Sequence, residues 1–198
     1  MASEVWFRPL LWMDYRLAVL FTVVIPLILL LWTFVQKAEA MQRLLMIYWR
    51  VSSLLAITLY LLIAPFQVGF ISGIMARILI PIALWFWVDI NEEIEDQPES
   101  ALKLTFNSWR WGTTLYCILG AITQLPSLQC AFSSQIVGNP LCSVWIEPPL
   151  VFKDYFHPNT QAGFLGFIGA TALIVYVVCL SYFVLFKLGK QGRFAFRQ

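Results

Sequence analysis

The chain has 198 residues, 60% of them hydrophobic and 12% charged, with a net charge of +2 and a mean hydropathy of +0.76. That balance lies outside the range of water-soluble domains and points to an integral membrane protein whose first partner is the lipid bilayer. The small net charge, with no Lys/Arg stripe interleaved with aromatics outside the apolar blocks, argues against nucleic-acid binding.

Taken in order, residues 1–16 mix Glu4, Arg8, Asp14 and Arg16 with Trp6, Phe7, Leu10, Leu11 and Trp12. The mixture predicts a segment lying on the membrane face with its aromatics at headgroup level. Residues 17–35 form the first predicted span. This block contains Pro26 and is followed by Gln36 and Lys37, which does not match a cleavable signal. Pro26 removes one helical donor and leaves the Thr22 carbonyl without its partner, so a kink is expected there.

A polar link over residues 36–43 leads to residues 44–63 and 68–88, two spans joined by a Pro-Phe-Gln-Val-Gly turn at Pro65 to Gly69. Each is long enough for the roughly 20 residues that cross about 30 Å of hydrocarbon. An acidic run follows, made of Asp89, Glu92, Glu93, Glu95, Asp96 and Glu99. Pro98 is expected to restart a helix capped by Asp96 or Gln97. Leu102, Phe106 and Trp109 then recur at helical steps, predicting an amphipathic piece resting on the bilayer surface. Residues 111–128 are a short fourth span. Residues 129–161, with Cys130, Cys142 and several prolines, are the longest loop, and residues 162–186 are the fifth span. The expected fold is thus a single all-α membrane domain, a bundle of about five transmembrane helices with short interfacial helices.

Orientation follows from the basic residues. Lys187, Lys190, Arg193 and Arg197 cluster behind the last span, and cytoplasmic segments carry excess Lys and Arg. A cytoplasmic C-terminus with five spans puts Lys37, Arg43, Lys103, Arg110 and the acidic segment 89–110 inside, and the cysteine loop outside. Trp32, Trp49, Trp85, Trp87, Trp109 and Trp111 then fall at inner ends, as an interfacial belt. An oxidising exterior lets Cys130 and Cys142 form a disulfide. Cys117 and Cys179, within spans, are expected to be packing residues.

Arg77 stands near the middle of the third span, where a charge is costly. Pro81, four residues on, leaves the Arg77 carbonyl without its helical donor. Together they suggest either an intramembrane polar pocket for an ion or pigment, or a structural arginine that snorkels or pairs with a carboxylate such as Asp14. Arg50, a turn or two from the inner boundary, is explained by snorkelling. The acidic residues Asp89, Glu92, Glu93, Glu95, Asp96 and Glu99 read as a solvated face, a protein contact or, least favoured, a cation site. Gly163, Gly166, Gly169 and Ala170 give the last span a smooth side for close helix packing, within the chain or against another protein.

Catalysis finds no footing in these residues. The one histidine, His157, sits in the loop, and no H-E-x-x-H, G-x-S-x-G, Walker A or C-x-x-C motif occurs. No metal and no resident cofactor is expected, beyond a lipid or pigment contact.

The stretches WFRPLLWMDYRLAVLFTVVIPLILLLWTFVQKAEAMQRLLMIYWRVSSLLAITLYLL and RILIPIALWFWVDINEEIEDQPE resemble a family of uncharacterised multi-span proteins from cyanobacteria. The resemblance implies a thylakoid or plasma membrane location and an auxiliary or assembly role around a photosynthetic membrane complex, with photosystem subunits as partners. It supplies no active-site residues. The expectations are therefore a non-enzymatic assembly protein, a small transporter or channel with Arg77 in its path, or a pigment-binding protein.

Overall fold

The structure is a computed structural model describing residues 7–132 and 138–188. The basic positions Lys190, Arg193 and Arg197 of the tail, and Glu4 and Trp6 of the N-terminal segment, lie outside the described residues. Among those described, regular structure is helical throughout. Helices α1 (Arg8–Gln36), α2 (Glu39–Ile63), α3 (Val68–Trp85) and α8 (Ala162–Phe186) are long and apolar enough to cross a membrane. Between α3 and α8 come α4 (Val88–Glu95), α5 (Ala101–Gln124), the single turn α6 (Leu128–Ala131) and α7 (Pro140–Phe156). At 24 residues, α5 has the length to span, about 36 Å at 1.5 Å per residue, but Lys103 and Arg110 make its first turns polar.

Contacts fix the order of the bundle. Thr58 on α2 meets Ser72 on α3 (2.9 Å), Trp85 on α3 donates to Thr114 on α5 (2.9 Å), and Asp14 on α1 takes the Tyr116 hydroxyl of α5 (3.0 Å). With Gly69 against Leu62, Gly120 against Arg77 and Gly112 against Phe21, these contacts make α2–α3, α3–α5 and α1–α5 antiparallel. One end of the bundle gathers the start of α1, the α2–α3 turn, α6, α7 and the start of α8. The other end gathers the α1–α2 turn, α4, the start of α5 and the end of α8.

Several boundaries differ from expectation, each for a physical reason. The segment at 8–16 does not lie apart on the surface: it is the first part of α1, anchored at its start by an Arg8–Glu147 ion pair of 2.8 Å to α7. The irregularity expected at Pro26 appears one turn earlier, as a π-helical stretch at Leu20–Val24. The carbonyls it exposes are taken by other helices: the Tyr48 hydroxyl donates to Thr22 O (2.8 Å) and Trp109 Nε1 to Phe21 O (2.9 Å). The proline's missing bond thus becomes a tether between α1 and the rest of the bundle. The polar link at 36–43 shrinks to a tight turn. Lys37 adopts a left-handed conformation (φ 54°) and ends α1, Gln42 donates to Thr33 O (2.8 Å), and Glu39 and Arg43 form an i,i+4 ion pair inside α2.

Pro98 does not open α5. Ser100 caps it, its hydroxyl accepting from the Lys103 N–H at 3.1 Å. Leu102, Phe106 and Trp109 face the core rather than a bilayer surface, joined there by Ile90 and Ile94 of α4. Trp87 is likewise buried, so two of the six belt tryptophans are core residues, whereas Trp111 is 65% exposed. More than half of the long loop is α7, capped at its start by Asn139 and burying Cys142, Val144 and Ile146.

The Cys130–Cys142 disulfide is present, with Cα atoms 5.7 Å apart, and it ties α6 to α7. Cys117 is a buried packing residue as expected, but Cys179 is exposed on the flank of α8. Closing a loop of 12 residues' separation constrains the unfolded chain, and a Cys130→Ser/Cys142→Ser variant is expected to lose about 2–3 kcal/mol in chemical denaturation. A variant as stable as wild type would show that α6 and α7 hold together by packing alone.

Candidate functional site

The polar centre of the bundle is built from three helices. Arg77 projects from the middle of α3, is 8% exposed, and forms an ion pair with the Asp14 carboxylate of α1. Tyr116 of α5 donates its hydroxyl to Asp14 Oδ1 (3.0 Å) and to the Asp14 carbonyl (3.1 Å), and its ring lies 5.6 Å from the Arg77 guanidinium carbon. Phe21 stacks on the same ring at 5.7 Å. The guanidinium fits because α5 carries glycine at 120: a Cβ there would stand 1.9 Å from Nη1. Nη1 itself is buried without a hydrogen-bond partner. The carboxylate pairing that the sequence offered as one reading of Arg77 is present, with Asp14 as the partner. Pro81 is half-buried within α3, which continues past it to Trp85.

Two more cations are buried at the other end, and composition gave them only a topological role. Arg110 is 2% exposed and lies 4.1 Å over the Trp85 ring. It donates to Leu84 O (3.1 Å), to Asn91 Oδ1 (2.6 Å) and to Asn107 Oδ1 (3.3 Å). Lys103 donates to Glu95 O (2.8 Å), Gln97 O (2.7 Å) and Glu99 (2.8 Å). A cation closing the carbonyl end of a helix meets both its free acceptors and its dipole. Between them these residues fasten α4 to α3 and α5.

The acidic run is consequently a fixed surface. Ile90 and Ile94 point into the core, while Glu92, Glu95, Asp96 and Glu99 are exposed. Glu93 approaches Arg43 at 3.5 Å, and Asp89 is half-buried. Among the described residues, no three His, Cys, Asp or Glu side chains converge as a cation site would require. Arg50 is exposed, consistent with snorkelling.

The glycine stripe packs within the chain. A Cβ at Gly166 would stand 2.2 Å from Ala64 Cβ, and one at Gly169 would stand 3.0 Å from Tyr60 Cβ and 3.1 Å from the Leu61 nitrogen. Of the four small residues, Gly166 and Gly169 therefore make the close approach. Ala170 is half-buried, and Gly163 faces open space. His157, in the segment leading to α8, lies 3.1 Å from the Tyr60 hydroxyl.

Residues 8–196 match the family model described as protein of unknown function DUF3177. The chain belongs to that family. No curated protein and no solved structure matches it. The family covers every helix of the bundle, so the Arg77–Asp14–Tyr116 centre, the acidic helix and the glycine seam all lie inside the matched region.

Proposed function

We propose that this protein is a non-enzymatic auxiliary subunit of a larger membrane complex, acting in its assembly, with its C-terminal end and α4 on the cytoplasmic side of a thylakoid or plasma membrane. The observation that carries this reading is how the buried charges are used. Arg77, Lys103 and Arg110 each bind groups of this chain and hold helices to one another. A solute path through Arg77 would need that guanidinium open to cargo, whereas it is 8% exposed and paired with Asp14. The remaining surface suits contact rather than chemistry. α8 leaves most of its positions exposed outside the seam with α2, and α4 presents its carboxylates on a rigid frame. The C-terminal side follows from Lys187, Lys190, Arg193 and Arg197. The photosynthetic setting follows from the resemblance of the sequence alone.

The test is affinity purification of the tagged full chain in mild detergent, with mass spectrometry of the eluate. Subunits of a photosynthetic complex are expected to co-elute. A Glu92→Gln/Glu95→Gln/Asp96→Asn variant is expected to lose most of them and to weaken the salt dependence of what remains, as exposed interfacial charges do. Recovery of wild-type protein alone overturns the proposal. Undiminished co-elution of the variant moves the contact from α4 to the apolar flank.

A further inference from the structure

One cavity, of about 560 Å3, adjoins the polar centre, and the charge in its wall, Asp14, is already paired with Arg77. A second, of about 420 Å3, opens between α2, α3 and α8 at the end of the bundle that holds α4. Its size falls within the range of small-molecule sites, roughly 300–1,000 Å3. It follows α3 from Leu79 to Phe86 and α8 from Tyr176 to Val184, a groove about 10–12 Å long at 1.5 Å per residue. That is most of the depth of one leaflet's hydrocarbon, about 15 Å. Ile47, Val51, Ile82, Leu180 and Phe183 make its wall apolar.

Arg50 is the one ionised side chain in that wall, and no acidic group lines the groove with it. The guanidinium is exposed and, among the described residues, has no ion-pair or hydrogen-bond partner. Other arginines of the bundle differ: Arg77 is held by Asp14, Arg110 by Asn91 and Leu84 O, and Arg43 by Glu39. Arg50 also stands about two turns beyond Arg43 on α2, further into the apolar part of the helix. A charge at that level is costly until it meets an anion. Side chains of a helix lean toward its N-terminus, which for Arg50 is toward the membrane interface.

The anion must reach a groove that faces lipid, and a lipid headgroup does so while its chain fills the apolar wall. A zwitterionic headgroup neutralises its own phosphate, whereas an anionic one leaves that charge for the arginine. We propose that the α2–α3–α8 groove binds an anionic phospholipid, one acyl chain lying along α3 and α8 and the headgroup phosphate accepting from Arg50. The inference goes beyond the assembly role and does not depend on it.

Cys179 is an exposed free thiol in the same wall and serves as the reporter. The purified full chain in mild detergent is titrated with phosphatidylglycerol or phosphatidylcholine. Mass spectrometry follows the rate at which N-ethylmaleimide modifies Cys179. Phosphatidylglycerol is expected to slow the reaction saturably, at about tenfold lower content than phosphatidylcholine. Arg50→Gln is expected to abolish that preference, raising the phosphatidylglycerol needed about tenfold. Ile82→Trp, at a half-exposed wall position, fills the groove and is expected to weaken protection by both lipids. Equal protection by the two lipids, an unchanged preference in Arg50→Gln, or unchanged protection in Ile82→Trp would each overturn the proposal. Protection by inorganic phosphate alone would replace the lipid with a soluble anion. Protection that rises with protein concentration in the absence of lipid would replace it with a second copy of the chain.

Discussion

Asp14→Ala is expected to destabilise the protein by about 3–5 kcal/mol, because it leaves Arg77 charged and buried, and Arg77→Ala by less, because the Asp14 side chain it orphans is 23% exposed. The pair joins α3 to α1, and Tyr116 brings α5 to the same carboxylate. Removing the arginine leaves Asp14 with only the tyrosine, and removing the aspartate leaves a guanidinium in the bundle facing an aromatic ring. The double variant Arg77→Met/Asp14→Asn removes both charges and roughly keeps the volume. It is expected to cost clearly less than the sum of the single changes, since the orphaned charge is gone. Tyr116→Phe, which deletes one hydroxyl donor and little else, is expected to cost about 1–2 kcal/mol. Unfolding in detergent, followed by tryptophan fluorescence, measures all four. Strict additivity of the two single changes would show that the pair contributes nothing as a pair.

The seam between α2 and α8 should fail just as sharply when it is widened. Gly166→Leu places a side chain where Ala64 Cβ already stands 2.2 Å from a first added carbon, and Gly169→Leu meets the Tyr60–Leu61 backbone. Neither obstruction is the movable end of a long side chain. The helices must therefore separate, at a cost of about 1–3 kcal/mol or more for each change. Because most of the α8 surface outside this seam is exposed, the double variant is expected to release it from the bundle. Gly163→Leu, facing open space, is the matched control and should be nearly neutral. The readout, in a Cys179→Ser background, is bridging of Val51→Cys and Tyr176→Cys by a bifunctional thiol reagent about as long as the tyrosine side chain that now links Tyr176 to the Val51 carbonyl. The crosslink should form in the parent and the Gly163 variant and be lost in the double variant. Persistence of the crosslink would mean that α8 is held by contacts other than this seam.

Proline chemistry and charge spacing carried different amounts of information. Pro26 announced a free carbonyl at Thr22, and the structure has one, but nothing local named Tyr48 as its donor, 26 residues away. Pro81 was equally visible and marks no break, since α3 runs through it to Trp85. Lys103 and Arg110 looked like ordinary positive charges on the cytoplasmic flank. Their burial depends on where α4 folds back, and a helix of eight residues gives no long-range signal of its own direction. The boundaries misplaced most widely, at 8–16 and 98–110, share one cause. Polar residues at the ends of an apolar block suggest that the helix stops, yet the backbone continues while its neighbours supply partners such as Glu147, Asn91 and Leu84 O.

By itself the sequence determined that this is a membrane bundle of α-helices, where its long apolar helices run, and which two cysteines pair. These properties are local: runs of apolar residues must leave water, backbone groups in lipid must bond within their own helix, and two loop cysteines close in sequence have few other partners. Only the tertiary structure decided what Arg77 pairs with, which glycines form the seam, and that a cavity adjoins the polar centre. Those depend on side chains tens of residues apart meeting at one level of the bundle. Meetings of that kind are set by how the helices turn and pack against one another, which composition and periodicity do not encode.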